Sequence, residues 1–262
     1  MAAIDEWLLV TLEGVAATYR EIPPSPRLRR YVECYWAQSQ NDEAGEHPVL
    51  PDGCVDILFT RIGAEPIGLT AVGLMTVPMQ VPAGPLRSFF GVRFRPGMAS
   101  AFVPGAELLR DEVRPLEDLT SSSASRRLFE QLAESRGVEE MAGVMDSLLR
   151  PLTPPDVGVR LLWQLESTAD SLDQLIAQSG LSVRHFRRLC VERAGVSPKY
   201  LSRILRFRRA AEKMATLGGQ PSWADFAVAC GYYDQAHFIR EFQEFAGCTP
   251  GRFLQSRRRA LD

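Results

Sequence analysis

The pattern of apolar and polar positions changes character twice along this chain. Between residues 20 and 118, apolar residues form short runs separated by Gly and Pro, as in Val55–Phe59 and Phe89–Phe94, which is typical of β-strands. Between residues 123 and 150 they recur at helical spacing, with Gly137 dividing two helices. In the C-terminal part the strand signal disappears, and successive capping residues predict about seven helices. The pattern therefore predicts an α+β multidomain chain: a β-rich domain, a helical connector and an all-α domain.

A proline-rich stretch marks the main boundary between these parts. Three prolines lie within residues 151–155, and proline stiffens the chain and ends helices. We therefore divide the chain into a β-rich domain over 1–118, connecting helices over 119–150 and an all-α domain over 156–262.

The strongest feature of the sequence is an internal repeat in the all-α part. When the chain is shifted by 52 residues, residues of the same type coincide at many positions. The coinciding pairs are His185 with His237, Phe186 with Phe238, Arg188 with Arg240, Ala194 with Ala246, Gly195 with Gly247 and Pro198 with Pro250. A duplicated supersecondary unit is the most economical explanation.

Each copy of the repeat has the order of a helix-turn-helix. A short apolar helix ends at Gly180 in the first copy and at Gly231 in the second, and glycine tolerates the positive φ of a tight turn. Ser182 or Asp234 then caps a second helix. In a helix-turn-helix, that second helix enters the major groove of DNA.

The second helix of each copy has an exposed polar face that is suited to base recognition. Apolar stripes that include Phe186 and Phe238 face the core. Arg pairs bidentately with guanine and Gln with adenine, so the opposite faces predict sequence readout. The alternative is that each face is simply a solvated helix surface. This alternative has more support in the second copy, because Glu241 and Glu244 add negative charge beside Arg240. The predicted DNA-contact residues are Arg184, His185, Arg187 and Arg188 in the first copy and Gln235, Ala236, Ile239 and Arg240 in the second.

A single long helix is predicted between the two copies, over residues 199–217. At 1.5 Å per residue it spans roughly 28 Å, while one turn of DNA is about 34 Å. A stiff rod of this length would hold the two recognition helices in successive grooves. Its cationic residues are candidate phosphate contacts, unless they merely solvate the helix: Arg203, Arg206, Arg208, Arg209 and Lys213.

Residues 156–259 strongly resemble the DNA-binding domain of the AraC/XylS family of transcription regulators. The matching stretches are residues 180–189, 195–201 and 206–210, and the most diagnostic are Ala229–Tyr232, Asp234–Phe242 and Gly247–Pro250. The resemblance implies base contacts at Arg184, Arg187, Arg188, Gln235, Ala236 and Arg240. The chain departs from the family pattern at Ile176, where alanine is usual, and at Glu241 and Glu244, where basic residues are common.

The N-terminal part resembles the cupin-like β-barrel sensor domains that are joined to such DNA-binding domains, specifically a poorly characterised type. The matching stretches are residues 51–56 and 91–97. This resemblance implies a small-molecule effector and a homodimer formed through the helices at 119–150.

Several polar residues of the β-rich domain are candidate effector contacts. Alternation along the strand places Phe90, Val92 and Phe94 on one face and Arg93 and Arg95 on the other, where arginines would suit an anionic effector. The alternatives are structural: a turn at 52–53, an ion pair between an aspartate and an arginine, and a cysteine that is a small buried hydrophobe rather than a redox sensor. The candidate effector residues are Tyr35, Trp36, Asp52, Cys54, Asp56 and Arg93.

The net charge of −2 hides an asymmetry between the two halves of the chain. Residues 152–262 contain 16 Lys and Arg against 11 Asp and Glu, which leaves 14 against 21 for residues 1–151. A cationic C-terminal part suggests a polyanionic partner for that part alone. Arginine outnumbers lysine 28 to 2, so arginine abundance by itself is weak support for phosphate binding.

Composition also excludes several classes of protein. Five scattered cysteines without a C-x-x-C pair, and three histidines, predict neither disulfides nor a metal site, and we expect no cofactor. The sequence has neither an apolar run of membrane-spanning length nor the order of a signal peptide, so we expect a cytoplasmic protein.

The sequence therefore predicts a DNA-binding transcription regulator, activator or repressor, that is not an enzyme. Its expected partners are double-stranded DNA, a small-molecule effector and a second copy of itself, with RNA polymerase as a further candidate. Two alternatives remain: a regulator that acts mainly through protein partners, and a cupin-like small-molecule enzyme fused to a DNA-binding module.

Overall fold

The computed structural model describes residues 18–39, 47–81, 86–152, 157–167, 172–217 and 219–261. The N-terminal part of it contains eight strands, as the alternation of apolar and polar residues predicts. They are β1 Thr18–Ile22, β2 Val32–Ser39, β3 His47–Val49, β4 Val55–Ile62, β5 Glu65–Val72, β6 Met79–Val81, β7 Arg87–Phe94 and β8 Val113–Pro115. Both runs that the sequence singles out as strands are confirmed, within β4 and β7.

Six of these strands form one antiparallel sheet in the order β1-β2-β7-β4-β5-β8, and β3 pairs with β6 in a separate two-stranded ribbon. The prediction of a β-rich N-terminal domain is confirmed. Within the described residues, β1 and β8 are the two edge strands of the sheet, so hydrogen bonds do not join its ends into a closed ring.

The two faces of the sheet have different chemistry. In the register of β2, β7 and β4, Cys34, Arg93 and Asp56 lie side by side, and the next row is Tyr35, Val92 and Ile57. Successive rows point to opposite faces. Phe90, Val92 and Phe94 are buried together in the core, as the predicted alternation requires.

Two helices cover the apolar face of the sheet. They are α1 Ser122–Glu134 and α2 Val138–Leu148, separated near Gly137 as predicted. Arg61 of β4 donates to the carbonyls of Leu132 and Ala133, each at 3.0 Å, and so satisfies free acceptors at the end of α1. The Tyr35 hydroxyl donates to Asp146 of α2 at 2.9 Å. The connector is thus tied to the sheet by polar as well as apolar contacts.

The described C-terminal residues form seven helices, in agreement with the sequence prediction. They are α3 Val157–Ser167, α4 Leu172–Ser179, α5 Val183–Ala194, α6 Pro198–Ala215, α7 Trp223–Ala229, α8 Gln235–Ala246 and α9 Pro250–Leu261. The predicted caps Ser182, Ser197, Ser222 and Asp234 each accept a hydrogen bond from a backbone N–H of the first turn. The predicted cap at 170–171 and the prolines at 154–155 lie outside the described residues.

Helix α6 is the centre of the C-terminal domain, because α3, α4, α5, α8 and α9 all pack against it. Leu201, Ile204 and Phe207 of α6 are fully buried. Phe207 contacts Phe242 and Phe245 of α8 at ring-centroid distances of 5.1 and 5.3 Å. The long helix that the sequence predicts between the two copies of the repeat is therefore also the main core element of the C-terminal domain.

Candidate nucleic-acid interface

The two copies of the repeat fold into the same local structure. In the first, α4 leads through Gly180, at φ +69°, into α5; in the second, α7 leads through Gly231, at φ +79°, into α8. Helices α5 and α8 end at Gly195 and Gly247, with φ values of +71° and +70°. The matched glycines are needed because these φ angles favour residues without a Cβ. The structure therefore contains two helix-turn-helix units.

Helix α5 presents arginines on its outer face. Phe186 and Cys190 are buried, while Arg184, Arg187 and Arg188 are exposed. Arg188 lies 3.7 Å from Glu192, an exposed i,i+4 pair that constrains it little. His185 is half-buried, and its backbone N–H donates to the Ser182 hydroxyl at 3.3 Å. The three arginines therefore form the accessible part of the predicted set in the first unit.

Helix α8 presents a smaller polar face. Gln235, Ala236 and Arg240 are exposed. Ile239 is half-buried and packs against the core. The outer face of α8 thus offers an amide and a guanidinium group near its first turns, which are the groups that read adenine and guanine.

Glu241 does not lie on this outer face. It is 3% exposed and faces α6, where it accepts hydrogen bonds from Arg206 and Arg203, each at 2.8 Å. The concern that Glu241 adds negative charge beside Arg240 is therefore wrong. The spacing of Phe238, Glu241 and Phe245 at i, i+3 and i+7 already places Glu241 on the buried stripe, a signal that the charge pattern concealed.

Arg203 and Arg206, expected as phosphate contacts, are occupied by carboxylates. Arg203 binds Glu241 and the exposed Glu244, and Arg206 binds Glu241 through both Nε and Nη2. Burial opposes the charged form of Arg203, but hydrogen bonds to Glu241 and Glu244 raise its pKa. The Arg206 guanidinium also lies 4.6 Å from the ring centroid of Tyr232. Both arginines act as ties between α6 and the second unit, which corrects their interpretation as free cations.

A cationic groove of about 820 Å³ opens between α6, α7 and α8. Besides Arg203 and Arg206, it is lined by Lys199, Arg209 and Lys213 of α6. Lys213 donates to the carbonyl of Ala229 at 2.7 Å, so its charge lies at the end of α7. The groove adds Lys199 to the candidate phosphate contacts, which already include Arg209 and Lys213.

Three of the other five candidate effector residues, Trp36, Asp52 and Asp56, lie around Arg93. Its side chain is 5% exposed and lies 3.4 Å from Asp56, 3.5 Å from Asp52 and 3.9 Å from Glu21. The Arg93 guanidinium is 5.7 Å from the ring centroid of Trp36. Burial raises the pKa of Asp56 to about 6, although Arg93 opposes the shift. The ion pair that the sequence left open as a structural alternative is present.

Tyr35 does not share this face. It lies in the row with Val92 and Ile57, one strand position from Trp36, and contacts the connector instead. Trp36 lies over Gly91, where an added Cβ would come within 2.5 Å of the indole. Tyr35 and Trp36 therefore cannot be two walls of one pocket, which strand alternation alone indicates.

The remaining candidates have structural contacts of their own. The Asp52 carboxylate accepts from the N–H of Cys54 at 2.8 Å, which is the predicted turn. Cys54 is buried, and burial raises the pKa of its thiol well above the ordinary value. A buried, protonated thiol is a poor nucleophile. The candidates predicted from the sequence do not include Glu21 or the buried Gln38. Both share this face, because Glu21 lies two residues from Tyr19 along β1 and Gln38 lies two residues from Trp36 along β2.

Two family models match separate parts of the chain. Residues 175–256 match the family model of a helix-turn-helix domain. This match spans α5 to α8 and includes parts of α4 and α9. Residues 20–113 match a domain of unknown function, DUF6597, as expected for a poorly characterised sensor type.

Among solved structures, the chain is similar to ToxT from Vibrio cholerae. One ToxT structure is 10% identical and covers 93% of this chain and 99% of that chain, with a TM-score of 0.41. A structure of unsaturated fatty acid bound wild-type ToxT is 11% identical, covers 92% and 94%, and has a TM-score of 0.40. No curated protein matches the sequence significantly.

The described ranges contain neither a cluster of metal-ligating side chains nor a helix that could span a membrane. Across them, three or more His, Cys, Asp or Glu side chains nowhere come together in a group that could hold a metal ion. In the same ranges, each helix is too short or too polar to cross a bilayer.

Proposed function

We propose that the protein is a sequence-specific transcription regulator whose two helix-turn-helix units read successive major grooves of one DNA site. The observation that supports this most directly is the matched geometry of the two units. Each presents a capped second helix, α5 or α8, with exposed arginine or glutamine on its outer face.

The spacing of the two units supports simultaneous binding. Helix α6 has 18 residues and is therefore about 27 Å long. Its side chains are buried against both units, and Glu241 with Arg203 and Arg206 ties α8 to it. A rod of this length would hold the two recognition helices at a separation comparable with one turn of DNA, about 34 Å.

The proposed division of roles follows the chemistry of the exposed side chains. Arg184, Arg187 and Arg188 in the first unit and Arg240 in the second would pair with guanine, and Gln235 with adenine. Ala236 and Ile239 would meet the methyl groups of thymine, and His185 would lie at the margin of the first contact. Lys199 and Arg209 in the groove beside α8 would contact phosphates.

A selection from random DNA tests the readout. We expect the wild-type chain to select one motif with two parts about one helical turn apart. The double variant Arg187→Ala and Arg240→Ala should lose the preferred bases in both parts. A matched control, Arg30→Ala with Arg114→Ala, removes two exposed arginines from the β-rich domain, outside the helices proposed for dimerisation, and should keep the motif. An unchanged motif in the first variant would contradict the proposal, and absence of any motif for the wild type would favour action through protein partners.

For the N-terminal domain, we propose an effector site on the sheet face around Trp36, Asp56 and Arg93. Arg93 is surrounded by three carboxylates, so the face has an excess of negative charge and suits a cationic, donor-rich ligand better than the anionic one expected from arginine alone. Within the part of the chain that the structure describes, the buried Trp36 Nε1 and Gln38 Nε2 donors have no hydrogen-bond acceptor, so the ligand would supply acceptors as well as a positive charge. Native mass spectrometry should detect a co-purified small molecule that Asp56→Asn abolishes; a ligand retained by this variant would place the site elsewhere.

The remaining parts of the proposal concern assembly. The domain limits stay as 1–118, 119–150 and 156–262, with homodimerisation through the helices at 119–150 and a cytoplasmic location. RNA polymerase is the candidate protein partner, and catalysis has no part in the proposal. The mass of the native complex tests the dimer directly.

A further inference from the structure

The β-rich domain packs directly against the C-terminal domain through closely approaching backbone. An added Cβ at Gly97 would lie 2.6 Å from Leu162 of α3, and one at Gly195, after α5, would lie 2.0 Å from the carbonyl oxygen of Glu107. An added Cβ at Gly53 would lie 3.3 Å from Leu201 of α6. Contacts this close require defined positions of both surfaces, so the two domains dock in one specific way.

Two ion pairs of opposite polarity cross this interface. Glu33 of β2 binds Arg208 of α6, and Arg95, which follows β7, binds Glu166 of α3 at 2.8 Å. The Arg208 side chain is 8% exposed and the Glu166 side chain 11%. Each domain thus offers one acid and one base, and the alternating charges fix the register of docking.

The Glu33–Arg208 pair is continuous with the candidate effector face. The Cys54 thiol lies 3.4 Å from Glu33 and 3.5 Å from Arg208, and the N–H of Cys54 binds Asp52, which in turn pairs with Arg93. Although burial opposes ionisation, Arg208 lowers the pKa of Glu33 to about 2. A buried polar path therefore joins Arg93 in one domain to Arg208 on the rod of the other.

Docking also reaches the second helix-turn-helix unit. An added Cβ at Gly247, which ends α8, would lie 3.6 Å from the ring of Pro78, just before β6. The β-rich domain therefore contacts α3 and α5 of the first unit, the rod α6, and the end of α8. Meanwhile Arg184, Arg187 and Arg188, like Gln235 and Arg240, are exposed, so docking leaves the recognition residues uncovered.

We propose that the docked β-rich domain is a clamp that holds the two helix-turn-helix units in the arrangement that binds a two-part site, with Glu33–Arg208 as its releasable latch. This inference rests on the proposed DNA-binding function. Holding both units in advance lowers the entropic cost of engaging two grooves at once. An effector on the face around Arg93 acts on the clamp through two residues. Asp52 pairs with Arg93, and Cys54 contacts Asp52, Glu33 and Arg208.

The two ion pairs that cross the interface, beside the apolar contacts of Leu162 and Leu201, are suited to release. Buried ion pairs add little net stability compared with apolar contacts, but their members are well hydrated once two surfaces separate. Interfaces between domains of one chain that are polar in this way permit relative motion. The latch is therefore a contact that a modest change in interaction free energy opens.

The test is a double-mutant cycle in the full chain with Glu33→Gln, Arg208→Gln and both together. Affinity is measured on a duplex with the complete selected site and on a duplex in which the part read by α8 is scrambled. We expect each variant to bind the complete site roughly three- to tenfold more weakly, the two effects not adding in the double variant. Binding to the scrambled duplex should change by less than about twofold.

Three comparisons make the outcome decisive. Arg20→Gln breaks an exposed pair with Glu139 and should leave both affinities unchanged. A second double-mutant cycle with Arg95→Gln and Glu166→Gln breaks the other ion pair between the domains and should reproduce the loss of affinity for the complete site. Amide exchange in α6 should rise in every latch variant if the folded domains have separated.

Unchanged or tighter binding of the complete site by the latch variants overturns the clamp. Equal loss on both duplexes also overturns it, because that would be a general loss of the folded DNA-binding domain. If the wild-type chain itself selects no DNA motif, both the proposed function and the clamp are wrong. If the wild-type chain selects a motif and the latch variants bind it with unchanged affinity, only the clamp is wrong.

Discussion

At the scale of single residues, the decisive feature is a buried glutamate that holds two arginines. Glu241 accepts hydrogen bonds from Arg203 and Arg206 while being 3% exposed. A carboxylate in that position is stable because three N–H groups replace its water, and those contacts fix α8 on α6. The orientation of α8 therefore depends on one buried side chain that lies away from its exposed face.

Replacing Glu241 by Gln should lower the free energy of unfolding by about 1–3 kcal/mol, since a buried charge-assisted network is lost. Chemical denaturation of the full chain measures this. Glu244→Gln removes the exposed partner of Arg203 and should cost less than about 0.5 kcal/mol. If the two variants lowered the free energy of unfolding equally, the burial of Glu241 would not contribute to stability.

Glu33 gives a prediction about pH. Its folded-state pKa is lowered to about 2, so the stability that it contributes is present above its unfolded pKa of about 4.5 and is lost as the pH falls toward 2. Glu33→Gln should therefore be less stable than the wild type at pH 7, by about 1–3 kcal/mol. The difference should shrink below pH of about 4.5, because a protonated glutamate resembles glutamine. A difference that is constant across this range would exclude an ionised Glu33.

At the scale of elements, local sequence signals were sufficient for most of the C-terminal domain. Caps such as Ser182 and Asp234 and turn glycines such as Gly180 act within a few residues, so their effects can be predicted without the rest of the fold. The strands β4 and β7 were predictable for the same reason. The contacts of Glu33 with Arg208 join residues 175 apart in sequence, and no local pattern signals such a pair.

The direction of side chains was less well predicted than the elements themselves. Glu241 was assigned to the outer face from its charge, although helical spacing puts it with Phe238 and Phe245. Tyr35 and Trp36 were grouped because both are aromatic, although neighbours in a strand point to opposite faces. In both cases chemical type was given more weight than periodicity, and periodicity was right.

The cap of α8 provides a test at this scale. The Asp234 carboxylate accepts from the N–H of His237 at 2.7 Å. Asp234→Ala should cost about 0.5–2 kcal/mol and loosen the first turn, which carries Gln235 and Ala236. In the DNA selection, the bases read by α8 should become less defined while those read by α5 stay unchanged. Asp234→Asn, which keeps a capping oxygen, should preserve both parts of the motif.

At the scale of the whole molecule, charge is segregated between the two domains. The C-terminal part has an excess of cations and the N-terminal part an excess of acids, and the acids nearest the interface are paired with α6. The acidic domain docks on α3, α5, α6 and the end of α8 without covering the exposed arginines of α5. Its negative charge is therefore kept apart from the surface proposed to approach DNA.

Salt titration follows from this arrangement. Neutralising phosphates releases counterions, so the logarithm of the affinity should fall linearly with the logarithm of salt concentration, at roughly −0.9 per phosphate contact. Lys199→Ala should reduce the slope by about one contact without changing the preferred sequence. Binding that does not respond to salt would contradict a phosphate-contacting surface.

The placement of the Trp36 ring across Gly91 limits how this domain can diversify. Any side chain at position 91 displaces the indole, and a smaller residue at position 36 uncovers the guanidinium beneath it. Positions 36 and 91 are therefore expected to change together in evolution. The fluorescence emission of the Trp36 indole should also report the binding of a ligand on this face of the sheet.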